Sequence, residues 1–319
     1  MTIQGVAIAA LRRLLGCALA LSALLAAAPP AAARTILFVG NSFTFGGGSA
    51  VRILHPEYVT DLNGTGMGGV PALFAAFARQ TGLDWQVSLE TEPGKDLAYH
   101  YAAKRHELAG KWDMVLLQGF STLDPARPGD PTRHIQAAAE LAAMFRAENP
   151  QARIELVSTW SRADLTFRRG GHWYGKPITQ MAKDVAAANG RAVRSTPDLA
   201  GAIPVGLAWN RAITQGLADP DPFNGVSFGK INLWTWDQYH ASAEGYYLAA
   251  LVIFGRVTGI DPRTLGEHEQ AGNELGIAPT WIKALQAVAA EELAAKAHAP
   301  VVTAKLRLPA GKRSARPAV

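Results

Sequence analysis

Thr35-Ile36-Leu37-Phe38-Val39-Gly40-Asn41-Ser42-Phe43 is the stretch on which the reading of the chain turns. Its apolar run is unbroken, rich in β-prone residues and too short for a buried helix. A glycine closes it, and the glycine run Gly46-Gly47-Gly48 follows soon after. Such a run reads as a strand buried on both faces, as parallel sheets require. Ser42 then lies at the carboxyl edge of that strand, where open α/β sheets place their sites.

Working outward, strand and helix patterns alternate. Gly69–Gln80 carries Val70, Leu73, Phe74 and Phe77 at helical spacing, and Trp85–Leu89 reads as a second strand. Asp96 is placed to cap a helix running to about Leu108. Met114–Leu117 is a third strand, Arg133–Glu148 an amphipathic helix stopped by Asn149-Pro150, and Ile154–Val157 a fourth strand. Ile178–Asn189 reads as a helix ended by Gly190, Ala192–Val193 as a short fifth strand, and Ser242–Thr258 as a helix closed by Gly259. The alternation implies an α/β fold with a parallel sheet covered on both faces. Arg162–Gly175 and Gly216–Trp236 fit no regular element and have the length of functional loops.

The 319 residues, 49% hydrophobic and 18% charged, suit one large domain, 34–298, with a separable segment at each end. Arg12 and Arg13, the apolar stretch Leu14–Ala28 and the small residues Ala31-Ala32-Ala33 form a signal-peptide pattern over residues 1–33. The apolar stretch falls short of the ~20 residues a membrane span needs. Cys17 precedes most of that stretch, which argues against a lipid-attachment signal. Cleavage after Ala33 leaves no cysteine, so thiol chemistry and thiolate metal sites are excluded. The expectation is a periplasmic or secreted bacterial protein without stable membrane insertion. Of the 31 Lys and Arg, two precede Ala33 and five follow His298, whereas all 26 acids lie between, so residues 34–298 hold 24 basic against 26 acidic groups. The basicity belongs to the 299–319 tail, expected to be solvated, and no nucleic-acid partner is expected.

The chemistry-bearing candidates are Ser42, Asp237 and His240. A serine hydroxyl needs a base within hydrogen-bond reach, and an Asp three residues before a His can orient that imidazole. Taken singly, Ser42 reads equally as a turn or cap residue, and Asp-x-x-His as a cap beside a surface histidine. An acyl-transfer intermediate also needs oxyanion donors. The N–H groups of Ser42 and of Gly94, which follows the second strand, are candidates, as is the Gln118 side chain at the end of the third. The histidines are too scattered to suggest a metal site, and no cofactor is expected. His100 reads as structural. Trp160, Trp173, Tyr174 and Trp236 are candidate substrate-stacking residues, with core packing as the alternative.

Four blocks in fixed order carry a resemblance: Gly40-Asn41-Ser42, Glu92-Pro93-Gly94-Lys95-Asp96, Leu116-Leu117-Gln118-Gly119 and Asp237-Gln238-Tyr239-His240. The chain resembles the SGNH hydrolase superfamily, also called GDSL-like lipases and acylhydrolases, over about Thr35 to Gly259. Asn41 stands where Asp is usual and Gln118 where Asn is usual. The second departure, with Ile203-Pro204-Val205-Gly206-Leu207-Ala208-Trp209, resembles a bacterial subgroup. The resemblance implies a three-layer α/β/α, flavodoxin-like fold, a Ser42–His240–Asp237 mechanism through an acyl-enzyme, no metal, and an ester as substrate. An acyltransferase or lipase would use the same residues. A glycan-binding module on the same fold is the reading from another class.

Overall fold

A computed structural model describes residues 33–297. The expected leader and basic tail lie outside them. Six parallel strands form one sheet: β1 (Arg34–Gly40), β2 (Thr60–Asp61), β3 (Trp85–Thr91), β4 (Met114–Leu117), β5 (Arg153–Val157) and β6 (Leu199–Ile203), in the order β2-β3-β1-β4-β5-β6. The register runs Ile36 to Met114 and Val39 to Leu117 between β1 and β4, and Leu117 to Leu156 between β4 and β5. The helices are α1 (Ser42–Phe45), α2 (Gly69–Gln80), α3 (Leu97–Ala103), α4 (Arg105–Leu108), α5 (Thr132–Glu148), α6 (Ala163–Phe167), α7 (Gln180–Ser195), α8 (Val205–Thr214), α9 (Ala243–Thr258), α10 (Gln270–Glu274) and α11 (Pro279–Ala297).

Strand alternation divides the core into two layers. Ile36, Phe38, Met114 and Leu116 point to one face, where α2, α8, α9 and α11 cover them. Leu37, Val39, Val115, Leu117, Ile154 and Leu156 point to the other, under α3, α5 and α7. The outcome is the expected α/β/α arrangement. Between β1 and β3 the chain passes through α2 on the first face; between β3 and β4 it passes through α3 on the second. The connections thus diverge at the carboxyl end of β1, which opens a crevice there.

Two expected boundaries are corrected. Ala192–Val193 is not a strand but the last turn of α7, which runs through Gly190 to Ser195. A glycine inside a helix costs about 1 kcal/mol, and α7 offsets it by burying Met181, Val185, Ala188 and Ala192. The final strand is instead Leu199–Ile203. The helix expected from Asp96 to Leu108 breaks at Lys104 into α3 and α4. Among the described residues, no helix is long and apolar enough to cross a membrane.

Candidate active site

The turn after β1 is built by the sequence that announces it. Asn41 caps α1, accepting from the Phe43 N–H at 3.1 Å, while its Nδ2 donates to the Lys95 carbonyl at 2.9 Å. That second bond ties the Ser42 turn to the loop carrying Gly94. The Glu92 N–H, donating to the Gly40 carbonyl at 3.0 Å, holds the same loop against the end of β1. Gly94 is exposed with φ +69°, in the left-handed region that favours glycine. Among the described residues, neither the Ser42 nor the Gly94 N–H has a hydrogen-bond partner, so both amides are free to donate.

On the far side of the crevice, Asp237 Oδ2 accepts from His240 Nδ1 at 2.6 Å, and Oδ1 accepts from the N–H groups of Tyr239 and His240, each at 2.9 Å. Burial acts to raise the Asp237 carboxyl, but these three hydrogen bonds outweigh it and hold the pKa below the ordinary carboxylate range. The Asp237 bond leaves Nε2 as the basic nitrogen of a neutral His240 ring. That Nε2 is buried and carries no hydrogen bond among the described residues. Gly47 lies beside both it and the serine. A Cβ at Gly47 would be 2.8 Å from Ser42 Cβ and 3.2 Å from His240 Nε2, which bounds those two atoms to within 6.0 Å of each other. Ser42 and His240 Nε2 therefore converge on one point beside Gly47, where there is room for no side chain.

An aromatic ladder holds the histidine. Trp209 stacks on Trp160 at 4.7 Å, Trp160 on Phe43 at 4.4 Å, and Phe43 meets Tyr239 at 5.3 Å. The Tyr239 ring lies 4.0 Å from that of His240, and the Arg162 guanidinium sits 3.7 Å over its centroid. Tyr246, fully buried on α9, reaches both the Ser42 and Gly47 carbonyls, at 3.1 and 3.0 Å. Burial pushes its phenol well up, so it stays a donor. Gly47, Tyr239, Tyr246 and Arg162 were not singled out from sequence; the glycine run and the Tyr between Gln238 and His240 were the available signals.

Three sequence expectations are corrected. Gln118 is 3% exposed, and its Oε1 accepts from the Asn41 N–H and the Thr44 hydroxyl, each at 3.0 Å. Its Nε2 is turned to the Gly119 carbonyl. The backbone donor at Asn41 fixes which end of the amide is oxygen. Gln118 therefore braces the Ser42 turn and does not aim its amide at the crevice. Trp160 and Trp173, both 1% exposed, are not stacking platforms. Trp160 donates to the Tyr239 carbonyl at 3.3 Å within the ladder, and Trp173 donates to Asp184 at 2.8 Å, pinning the 162–175 loop to α7. Tyr174 and Trp236 are exposed, at 46% and 80%. His100 is fully buried against Glu90 at 2.5 Å. No group of three or more His, Cys, Asp or Glu among the described residues is arranged to hold a metal ion.

A protein of the DUF4886 family from Bacteroides uniformis shares this fold. It superposes with a TM-score of 0.57 at 18% identity, over 85% of this chain and 98% of the other. A candidate GDSL-like lipase from Parabacteroides merdae aligns at TM-score 0.49 and 15% identity, over 71% and 95% of the two chains. A variant of a Geobacillus acetyl-xylooligosaccharide esterase aligns at 0.47 and 15%, over 70% and 94%. No family model matches the sequence, and no curated protein does. At these identities the likeness is one of fold.

Proposed function

We propose that this chain is a serine esterase of the SGNH type, exported by its first 33 residues. The observation that carries the reading is the Asp237–His240 pair at 2.6 Å, whose unbonded Nε2 lies within 6.0 Å of Ser42 Cβ beside Gly47. Ser42 Oγ attacks the ester carbonyl carbon as its proton passes to His240 Nε2. The oxyanion is received by the N–H groups of Ser42 and Gly94. His240 returns the proton to the leaving alcohol as the carbon–oxygen bond breaks. Water then repeats the sequence on the acyl-enzyme, releasing the carboxylic acid and restoring Ser42. Asp237 holds the imidazole orientation and offsets the charge that His240 gains.

The substrate fitting the site is a small acyl ester on a polar carrier, an acetylated carbohydrate before a lipid. Export would bring the enzyme to envelope or environmental glycans. The 162–175 loop mixes Arg168, Arg169 and His172 with Tyr174 on its exposed surface, a poor wall for a long alkyl chain. The test is hydrolysis of p-nitrophenyl acetate by the full chain and by Ser42→Ala, then of acetylated oligosaccharides against long-chain glycerides. Equal rates for the two proteins would refute Ser42 as nucleophile. Activity rising steadily with acyl length would replace the carbohydrate with a lipid.

A further inference from the structure

One cleft beside the triad is unused by the chemistry above. It holds about 510 Å³, within the range of small-ligand pockets. Its lining is Asp164, Phe167, Arg168, Phe223 and Asp237. Phe167 ends α6 and Phe223 lies in the 216–236 segment, yet their rings meet edge-on at 5.5 Å, and both are solvent-exposed, at 40% and 56%. Large apolar side chains left in water beside the carboxylate that orients His240 call for an explanation. The carboxylates in the wall are already engaged: Asp237 by His240, and Asp164 by Arg162 at 3.1 and 2.7 Å. The Arg168 guanidinium is not; its donors have no partner among the described residues. The cleft thus combines two stacking faces, one free set of strong donors, and acceptors held rigidly in place.

Resting on the esterase reading, we infer that this cleft binds a pyranose ring of the carrier next to the acylated one. An alkyl chain would desolvate Asp164, Asp237 and Arg168 with nothing to replace water, at a cost of kilocalories per group. A pyranose presents an apolar C–H face that suits Phe167 and Phe223, and ring oxygens that accept from Arg168. Asp237 joins the cleft to the reacting centre: one side of its carboxylate orients His240, and the residue itself forms part of the sugar wall. Residue 164 is fastened to the same turn, since the Asp164 N–H donates to the Gln238 carbonyl at 3.1 Å. Occupancy of the cleft would therefore align a chain of sugars along the wall that holds the base.

The test uses the full chain carrying Ser42→Ala, with cellohexaose, xylohexaose, chitohexaose and hexagalacturonate as probes in calorimetric titration. At least one should bind. Adding Phe223→Ala should weaken that probe at least tenfold with an unchanged melting temperature, and Phe223→Trp should restore it. Arg168→Gln separates the sources of the oxygen acceptor. A severe loss confined to hexagalacturonate marks a uronate carboxylate, and a loss of a few-fold on a neutral probe marks hydroxyls. Binding of none of the four, or an affinity indifferent to Phe223→Ala, overturns the proposal. Failure of the esterase reading would show differently, as p-nitrophenyl acetate hydrolysis that survives Ser42→Ala.

Discussion

Gly47→Ala adds one carbon at the point where the site is narrowest. The new Cβ would stand 2.8 Å from Ser42 Cβ, 3.1 Å from His240 Cδ2 and 3.2 Å from His240 Nε2. Carbon atoms rest at about 3.5 Å or more, so Ser42, His240 or the 46–48 backbone must retreat by ~0.7 Å. The backbone itself does not forbid alanine, because Gly47 is outside the left-handed region that Gly46 and Gly48 occupy. Nor can Gly47 move freely, since its carbonyl is bonded to Tyr246. The displacement therefore falls mainly on the nucleophile–base geometry. A misplacement near 1 Å costs about 10²-fold in rate, so kcat/KM for p-nitrophenyl acetate should fall by roughly 10- to 100-fold. Overpacking should lower stability by about 1–3 kcal/mol. Steady-state kinetics and a thermal melt on the same preparation separate the two effects. A Gly47→Ala enzyme that folds and turns over at the parent rate would refute the close approach of Ser42 and His240 to this glycine.

Three further outcomes follow from the same geometry. Asp237→Asn replaces the carboxylate beside His240 Nδ1 with a neutral amide that favours the wrong tautomer and should reduce kcat by about 10³- to 10⁴-fold in a stopped assay; a loss under tenfold would show that the carboxylate does not set the imidazole tautomer. Tyr246→Phe deletes the donor shared by the Ser42 and Gly47 carbonyls in a buried position, and denaturant unfolding should show a cost of about 1–3 kcal/mol. His134 is fully buried, and burial lowers its pKa against the opposing bond to Asn189 and the charge of Asp96. Below about pH 6.5, where an unfolded histidine gains a proton and the native one resists it, stability should therefore fall as pH falls. His134→Gln should flatten the slope of melting temperature between pH 7 and 5, and an unchanged slope would place the titration elsewhere.

The sheet was legible where strands carry a dense apolar signal, as in β1 and β4. It was not legible in β6, whose Leu199-Ala200-Gly201-Ala202-Ile203 is built of small residues between a helix and a proline. There the pairing with β5 makes the strand, and local preference does not. β2, two residues at the sheet edge, left no periodic trace. At the site, the order of the blocks picked out Ser42, Asp237 and His240 as candidates, because each lies where a strand or a loop before a helix must end. The direction of Gln118 was hidden: its extra methylene lets the amide fold back to Asn41 and Thr44, a three-dimensional choice that residue type does not encode. The tryptophans were ambiguous for a related reason, since an indole serves equally as a core wedge or an exposed platform. Trp160 is the wedge because Phe43 and Trp209 close on its two faces.

The central claim is that Ser42 is an activated nucleophile. The direct measurement is peptide mapping of the protein after treatment with a fluorophosphonate, followed over time. The account predicts a single adduct on the peptide containing Ser42, absent in Ser42→Ala and formed much more slowly in Asp237→Asn. An adduct on another serine, or no adduct on a folded protein that still hydrolyses p-nitrophenyl acetate, would contradict it.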